Sequence, residues 1–230
     1  MEKILYVVKT TQKHGNRISA ILNTWLSGDE DYIFISDHED LEKNIILTSD
    51  DSSYEGVLKK SLFFYNNLNN IKCNGSDVNI LDYYDWILSC DDDTFVNTKM
   101  VRDFLKKCDK NDLLAYCVNV SPDKYPGNPV WSEYSHIFKD GDCYFSGGGG
   151  ILISSCTLKK VNNFVDYGNR FDDVAIGLHL HRSGVKLIDC SLFHSTHPEF
   201  YGHTDSDIIN SITYHHISHD RMYDMYNYIK

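Results

Sequence analysis

The sequence predicts an α/β layered fold with a mainly parallel central sheet flanked by helices. Three observations carry this. Short apolar runs rich in β-branched and aromatic residues alternate along the chain with segments whose apolar positions recur at helical spacing. The runs are apolar throughout rather than alternating, as strands buried on both faces are. Polar groups gather where the runs end: Thr10 and Thr11 after the first, Asp37 after the second, and Asp91, Asp92 and Asp93 after a later one. In parallel sheets ligands sit outside the carboxyl ends of the strands, so these groups predict a site along one edge.

Taken in order, Ile4-Leu5-Tyr6-Val7-Val8 reads as a buried strand. Ile18, Ile21, Leu22, Trp25 and Leu26 place a helix over 17–26. A second strand is expected over 32–35 and a third over 44–47. Val57, Leu58, Leu62, Phe63, Tyr65 and Leu68 place a helix over 56–68. Residues 85–90 form the strand that carries the Asp triplet, and a short helix starts near Thr98. A strand follows over 113–120. Residues 121–131 hold Pro122, Pro126 and Pro129 and must be loop. Cys143-Tyr144-Phe145 leads to Ser146 and the glycines 147–150. Ile151-Leu152-Ile153 then leads into a helix expected to reach Val165. A helix over 171–182 and a strand over 185–189 follow. The segment 205–229 is polar, rich in Tyr and His, and reads as weakly helical.

The chain has 230 residues, of which 42% are hydrophobic, enough for one domain with a full core. Neither internal repeats nor low-complexity tracts occur. A net charge of −11 argues against broad binding to nucleic acid or to anionic membranes. Lys9, Lys13, His14 and Arg17 nonetheless supply a local basic patch. No transmembrane span or signal peptide is legible, so a soluble, cytoplasmic protein is the expectation. The seven cysteines include no CxxC pair, which points to reduced thiols rather than a disulfide scaffold or a thiolate zinc site.

Four constellations carry chemistry. Asp91-Asp92-Asp93 sets three like charges at the end of a core strand, which is costly without a compensating cation. Carboxylates suit hard or borderline divalent ions such as Mg²⁺ and Mn²⁺. Successive side chains of an extended segment point to opposite sides, so one carboxylate can bind a metal while another faces a ligand. The glycines 147–150 let a ligand approach the main chain. Asp172 and Asp173 at a helix start either cap the helix or include a general base. His194 and His197, three residues apart after a strand, can supply a metal ligand. His179, His181, His215, His216 and His219 lack such a context and read as surface or core residues.

Together the motifs resemble the fringe group of β1,3-glycosyltransferases and relatives such as the core 1 galactosyltransferase. The match runs in order through Val8-Lys9-Thr10-Thr11 with Arg17 and Thr24-Trp25, then Phe34-Ile35-Ser36-Asp37, then Trp86 to Val96. Phe145-Ser146 with the glycines 147–150, Asp172-Asp173-Val174 with Gly177, and Leu192-Phe193-His194-Ser195 complete it. Each motif alone is weak, and their order makes the resemblance specific. It implies a GT-A fold in one glycosyltransferase domain over 1–230, with a nucleotide-binding half at 1–97 and an acceptor and catalytic half at 98–230. It implies inverting transfer of a hexose or N-acetylhexosamine from a UDP-sugar to a hydroxyl of a glycan or glycoprotein acceptor, with Mn²⁺ or Mg²⁺ as cofactor.

By the same resemblance Asp93 would bind the metal, with His194, or His197, as second ligand. Asp173 would be the base and Asp172 the fallback. Thr10, Thr11, Arg17 and Asp37 would lie near the nucleotide, Asp91 and Asp92 at the nucleotide-sugar, and Gly148 and Gly149 at the sugar or acceptor. Two other readings compete: a metal-dependent phosphohydrolase or nuclease using the Asp triplet, and a non-catalytic sugar-nucleotide or glycan binding module.

Overall fold

The computed structural model describes residues 2–71 and 79–230; Met1 and Cys73 lie outside them. In chain order, β1 (Ile4–Lys9) passes through a 3-10 turn into α1 (Gly15–Asn23), and β2 (Asp31–Ser36) and β3 (Ile45–Leu47) follow. Next come α2 (Gly56–Asn66), α3 (Ile80–Tyr83), β4 (Trp86–Asp91), β5 (Phe95–Val96) and α4 (Thr98–Leu105). The middle of the chain forms β6 (Leu114–Cys117), β7 (Asn119–Val120), α5 (Pro129–Glu133), β8 (Tyr144–Phe145), β9 (Ile151–Ser154) and α6 (Ser155–Lys160). The last part forms α7 (Asp172–Arg182), β10 (Lys186–Asp189), β11 (Phe193–His194), α8 (Asp205–Ile209), β12 (Thr213–Tyr214) and α9 (His219–Ile229).

The central sheet has the order β10-β6-β9-β4-β1-β2-β3. β1 pairs in parallel with β2 and β4, β2 with β3, and β10 with β6. Only β9 runs the other way, antiparallel to β4 and β6. The sheet is thus mainly parallel, as the uninterrupted apolar runs predict. The reversal of β9 has a consequence for function. Its amino end, and the glycines 147–150 that feed it, lie on the same edge as the carboxyl ends of β1, β2 and β4. One sheet edge therefore collects the Asp triplet, Thr10, Thr11, Asp37 and the glycine run.

Both faces of the sheet are covered. Ile4, Tyr6, Val8, Trp86 and Leu88 point to one side, where Ile18, Ile21, Val101, Met222 and Met225 bring α1, α4 and α9 against them. Leu5, Val7, Ile33, Ile35 and Ile87 point to the other, against Phe64 and Tyr65 of α2, Leu158 of α6 and Ile176 and Leu180 of α7. The period-2 alternation of strand side chains sorts them between the two layers. Each large apolar side chain so buried is worth about 1.5–3 kcal/mol.

Several boundaries differ from the sequence reading: α2 stops at Asn66, and the stretch read as loop over 121–131 ends in α5, with Asn128 capping it and Pro129 at its start. α1 stops at Asn23, because the Thr24 hydroxyl turns back to donate to the Ala20 carbonyl at 2.6 Å; Trp25 and Leu26 are buried beyond its end. The helix expected to reach Val165 ends at Lys160. There the Asn66 side chain holds both backbone groups of Phe164 at 2.8 Å and ties that segment to α2. The 113–120 run divides: β6 stays in the central sheet, while β7 leaves to pair with β8. The tail is not weakly helical. The Ser218 hydroxyl caps α9, and Met222 and Met225 on one face of it are fully buried. The six described cysteines are all free thiols. Among the described residues no helix is long and apolar enough to cross a membrane.

Candidate active site

β4 ends in the Asp triplet, and the chain turns at Asp91–Thr94 before entering β5. The three carboxylates have different surroundings. Asp92 is buried and fully engaged. It accepts hydrogen bonds from the Thr10 hydroxyl at 2.7 Å and from Arg17 Nη1 at 2.6 Å, and meets His14 Nδ1 at 2.7 Å. Asp91 pairs with the buried Lys9 ammonium at 2.9 Å. Asp93 has the weaker partners: His215 Nε2 at 2.9 Å, Arg17 Nη1 at 3.3 Å and His216 Nδ1 at 3.9 Å. Burial opposes its charge, but the hydrogen bond and charge of His215, with Arg17 beyond, hold its pKa below the usual carboxylate value.

Asp93, His215 and His216 each offer a ligand atom, and these atoms lie within 4.8 Å of one another. A carboxylate and two imidazoles suit a borderline divalent ion. The orientation of His215 is fixed by the backbone. Its Nδ1 lies 3.2 Å from the Ser195 carbonyl, so Nδ1 carries a proton and donates it there, which leaves Nε2 facing Asp93. His216 stacks on His215 with ring centroids 3.8 Å apart. Its φ is +58°, a left-handed conformation uncommon for a residue with a side chain.

Neither histidine was expected here, while His194 and His197 lie elsewhere. His194 is buried, with Nε2 3.0 Å from the Ser211 hydroxyl and its ring stacked on Tyr214 at 4.4 Å. Burial, with His203 nearby, pushes its pKa down to about 4, so it is neutral. Its strand β11 pairs with β12, and β12 ends at Tyr214, next to His215. His194 thus braces the strand that presents His215 and does not face Asp93. His197 is at the surface, beside Glu199 at 3.1 Å.

The glycine run explains how His215 reaches Asp93. A Cβ on Gly148 would fall 2.0 Å from the His215 ring, so only glycine leaves room for the imidazole. The Thr94 hydroxyl donates to the Gly148 carbonyl at 2.7 Å, and Thr213 to the Gly149 carbonyl at 2.6 Å. Gly149 packs against Val118 and Ser195. Both glycines therefore contact protein on the faces where a side chain would project.

Asp172 and Asp173 begin α7, across Lys9 from the triplet. Asp172 accepts from Lys9 Nζ at 2.9 Å and from the Ser61 hydroxyl at 2.8 Å. Burial opposes the Lys9 charge, yet Asp172 and Asp91 hold its pKa well above the ordinary lysine value. Asp173 has no such cation in contact; it accepts only from the Gly147 amide at 3.0 Å and the Val174 amide at 2.8 Å. Burial and the adjacent Asp172 charge push its pKa up to about 7. Of the two, Asp173 is the carboxylate electrostatically suited to exchange a proton near neutrality.

A pocket of about 440 Å³ opens over this edge, lined among others by Lys9, Thr11, Arg17, Lys60, Asp93 and His215. Beside Thr11, the Asp37 carboxylate accepts from the Thr11 hydroxyl at 2.6 Å and the Gln12 amide at 2.8 Å. Burial opposes its charge, but these bonds bring its pKa down to about 2. Lys60, unremarked in the sequence, is buried with Nζ donating to the Thr10 carbonyl at 3.0 Å. Burial lowers its pKa. The residues predicted for the nucleotide, Thr10, Thr11, Arg17, Asp37, Asp91 and Asp92, thus share one edge with Asp93, Asp172 and Asp173.

A family model described as Fringe-like matches residues 1–230. The β-1,3-N-acetylglucosaminyltransferase lunatic fringe of Xenopus laevis is 26% identical over 230 residues, covering 91% of this chain and 58% of that protein. A β-1,3-glucosyltransferase of Mus musculus is 24% identical over 207 residues, covering 87% of this chain and 37% of that protein. The chain thus spans about three fifths and two fifths of the length of these relatives. Among solved structures, the galactosyltransferase LgtC in complex with donor and acceptor sugar analogs superposes with a TM-score of 0.53 at 11% identity, over 97% of this chain and 95% of that one. A glycosyltransferase involved in glycosylation of the major capsid of PBCV-1 gives 0.53 at 10% identity, over 97% and 98%. At such identities the likeness is one of fold, and that fold is GT-A.

Proposed function

Because the chain belongs to the Fringe-like family, we propose that it is an inverting glycosyltransferase that moves a hexose or N-acetylhexosamine from a UDP-sugar to a glycan hydroxyl in β1,3 linkage, with Mn²⁺ or Mg²⁺ bound. The observation that carries the reading is one arrangement. The Asp93–His215–His216 cluster and the proton-accepting Asp173 lie on one sheet edge, and Lys9 bridges their neighbours Asp91 and Asp172.

The donor set fits a divalent ion held by Asp93 and His215, with His216 as a third ligand. When bound, the ion would supply a Lewis acid for the charge that grows on the β-phosphate of departing UDP. Arg17 lies between Asp92 and Asp93 and adds a fixed positive charge near the same place. Lys9, locked by two carboxylates, keeps the triplet and α7 in register. Asp173 accepts the proton of the acceptor hydroxyl. The hydroxyl oxygen bonds to the anomeric carbon, the bond from that carbon to the β-phosphate oxygen breaks, and the configuration inverts. The Gly147 amide, donating to Asp173 Oδ2, keeps that carboxylate oriented.

UDP release from a panel of UDP-sugars in Mn²⁺, with water as acceptor, tests the reading without knowledge of the natural acceptor. Turnover of at least one donor is expected. Hydrolysis of simple phosphoesters with no UDP-sugar turnover would instead favour a phosphohydrolase, and donor binding with neither hydrolysis nor transfer would favour a binding module.

A further inference from the structure

We propose that Tyr54, Phe171 and Tyr134 form an acceptor subsite that holds a saccharide by stacking against its ring. The proposal rests on the glycosyltransferase reading above and adds where, and by what chemistry, the acceptor is held.

The three rings come from separate segments: the loop before α2, the residue that caps α7, and the end of α5. They meet edge to face, Tyr54 with Phe171 at 6.1 Å and 81°, and Tyr134 with Phe171 at 5.9 Å and 86°. Tyr54 is nevertheless 65% exposed. Exposure here does not reflect a loose loop. Asp51 accepts from the Ser53 amide at 3.0 Å and from Lys59 at 2.7 Å, and a Cβ on Gly56 would strike the Asp51 carbonyl at 2.1 Å. The loop is built to present an aromatic ring to solvent.

The position of the rings decides what they meet. Phe171 immediately precedes Asp172 and Asp173, and Tyr54 and Phe171 line the same pocket as Asp172. A group bound on these rings meets Asp172, the residue adjacent to the proposed base, and on the glycosyltransferase reading the group that gives Asp173 its proton is a hydroxyl. A saccharide offers both a C–H face for the rings and hydroxyls for the carboxylate. Arg170, 5.0 Å over Phe171 and 3.7 Å from Glu133, adds polar partners at the rim. The rest of the pocket, Thr10, Thr11, Arg17 and Lys60, is polar and cationic, suited to the nucleotide instead.

Saturation-transfer NMR tests this, with methyl glycosides of a hexose, an N-acetylhexosamine and a 6-deoxyhexose as probes and UDP and Mn²⁺ present. The wild type is expected to pass saturation to ring C–H protons of at least one glycoside. Tyr54→Ala and Tyr134→Ala should weaken that glycoside about tenfold, and Tyr54→Trp should restore it. The proposal is overturned if UDP binds but no glycoside receives saturation. It is equally overturned if the alanine variants bind the glycoside as the wild type does, or if they lose UDP and not the glycoside. Absence of metal-dependent UDP binding in the wild type would instead strike the glycosyltransferase reading itself.

Discussion

Asp173 is the residue on which the proposed chemistry turns. Its pKa of about 7 comes from burial and from the Asp172 charge beside it, with no cation in contact to reverse them. A base works deprotonated, so the rate should fall about tenfold per pH unit below 7 and level off above it. Asp173→Asn should lower kcat by about 10²–10⁴-fold with UDP affinity kept, read from UDP release together with calorimetry. The glycine at 148 makes a second residue-scale prediction. Gly148→Ala puts a methyl group into the His215 ring and should weaken Mn²⁺ binding about 10–100-fold, measured by metal titration. The placement of Asp93 and Asp173 on one polar edge was legible because adjacent carboxylates at the end of an apolar run, or at a helix start, have few inexpensive explanations. His215 was not. Its neighbours in sequence, Tyr214 and His216, mark no strand long enough to show a period, and its meaning comes from β12 lying beside β5. His194 carried the more suggestive local pattern and braces that strand instead.

At the scale of elements, the uninterrupted apolar strands β1, β2 and β4 and the helices α2 and α7 were readable from periodicity. The two-residue strands β5, β8, β11 and β12 were not, since two residues define no alternation. α9 shows the opposite failure: its tyrosines and charges hide a narrow apolar face of Met222 and Met225 that only packing against the sheet reveals. α9 follows directly on His215 and Ile217, whose amide donates to the Asp93 carbonyl at 2.8 Å. Met222→Ala should therefore cost about 2–5 kcal/mol in urea unfolding, and Ser218→Ala, which removes the helix cap, about 1 kcal/mol. Both should loosen the anchorage of His215 without touching the pocket. β9 carried no sign of its reversed direction in the sequence, since antiparallel and parallel core strands read alike when both faces are buried.

At the scale of the whole molecule, a chain with net charge −11 is proposed to hold a doubly charged donor. Lys9 and Arg17 at that edge already pair with carboxylates, so in this account the added positive charge comes from a divalent ion at the Asp93–His215–His216 cluster. The direct measurement is calorimetric titration of UDP into the wild-type chain and into Asp93→Asn and His215→Ala, in Mn²⁺ and again in excess chelator. The account predicts binding by the wild type in Mn²⁺, lost with chelator and weakened at least about tenfold in both variants. UDP binding of equal strength with and without chelator, or unchanged in His215→Ala, would contradict it.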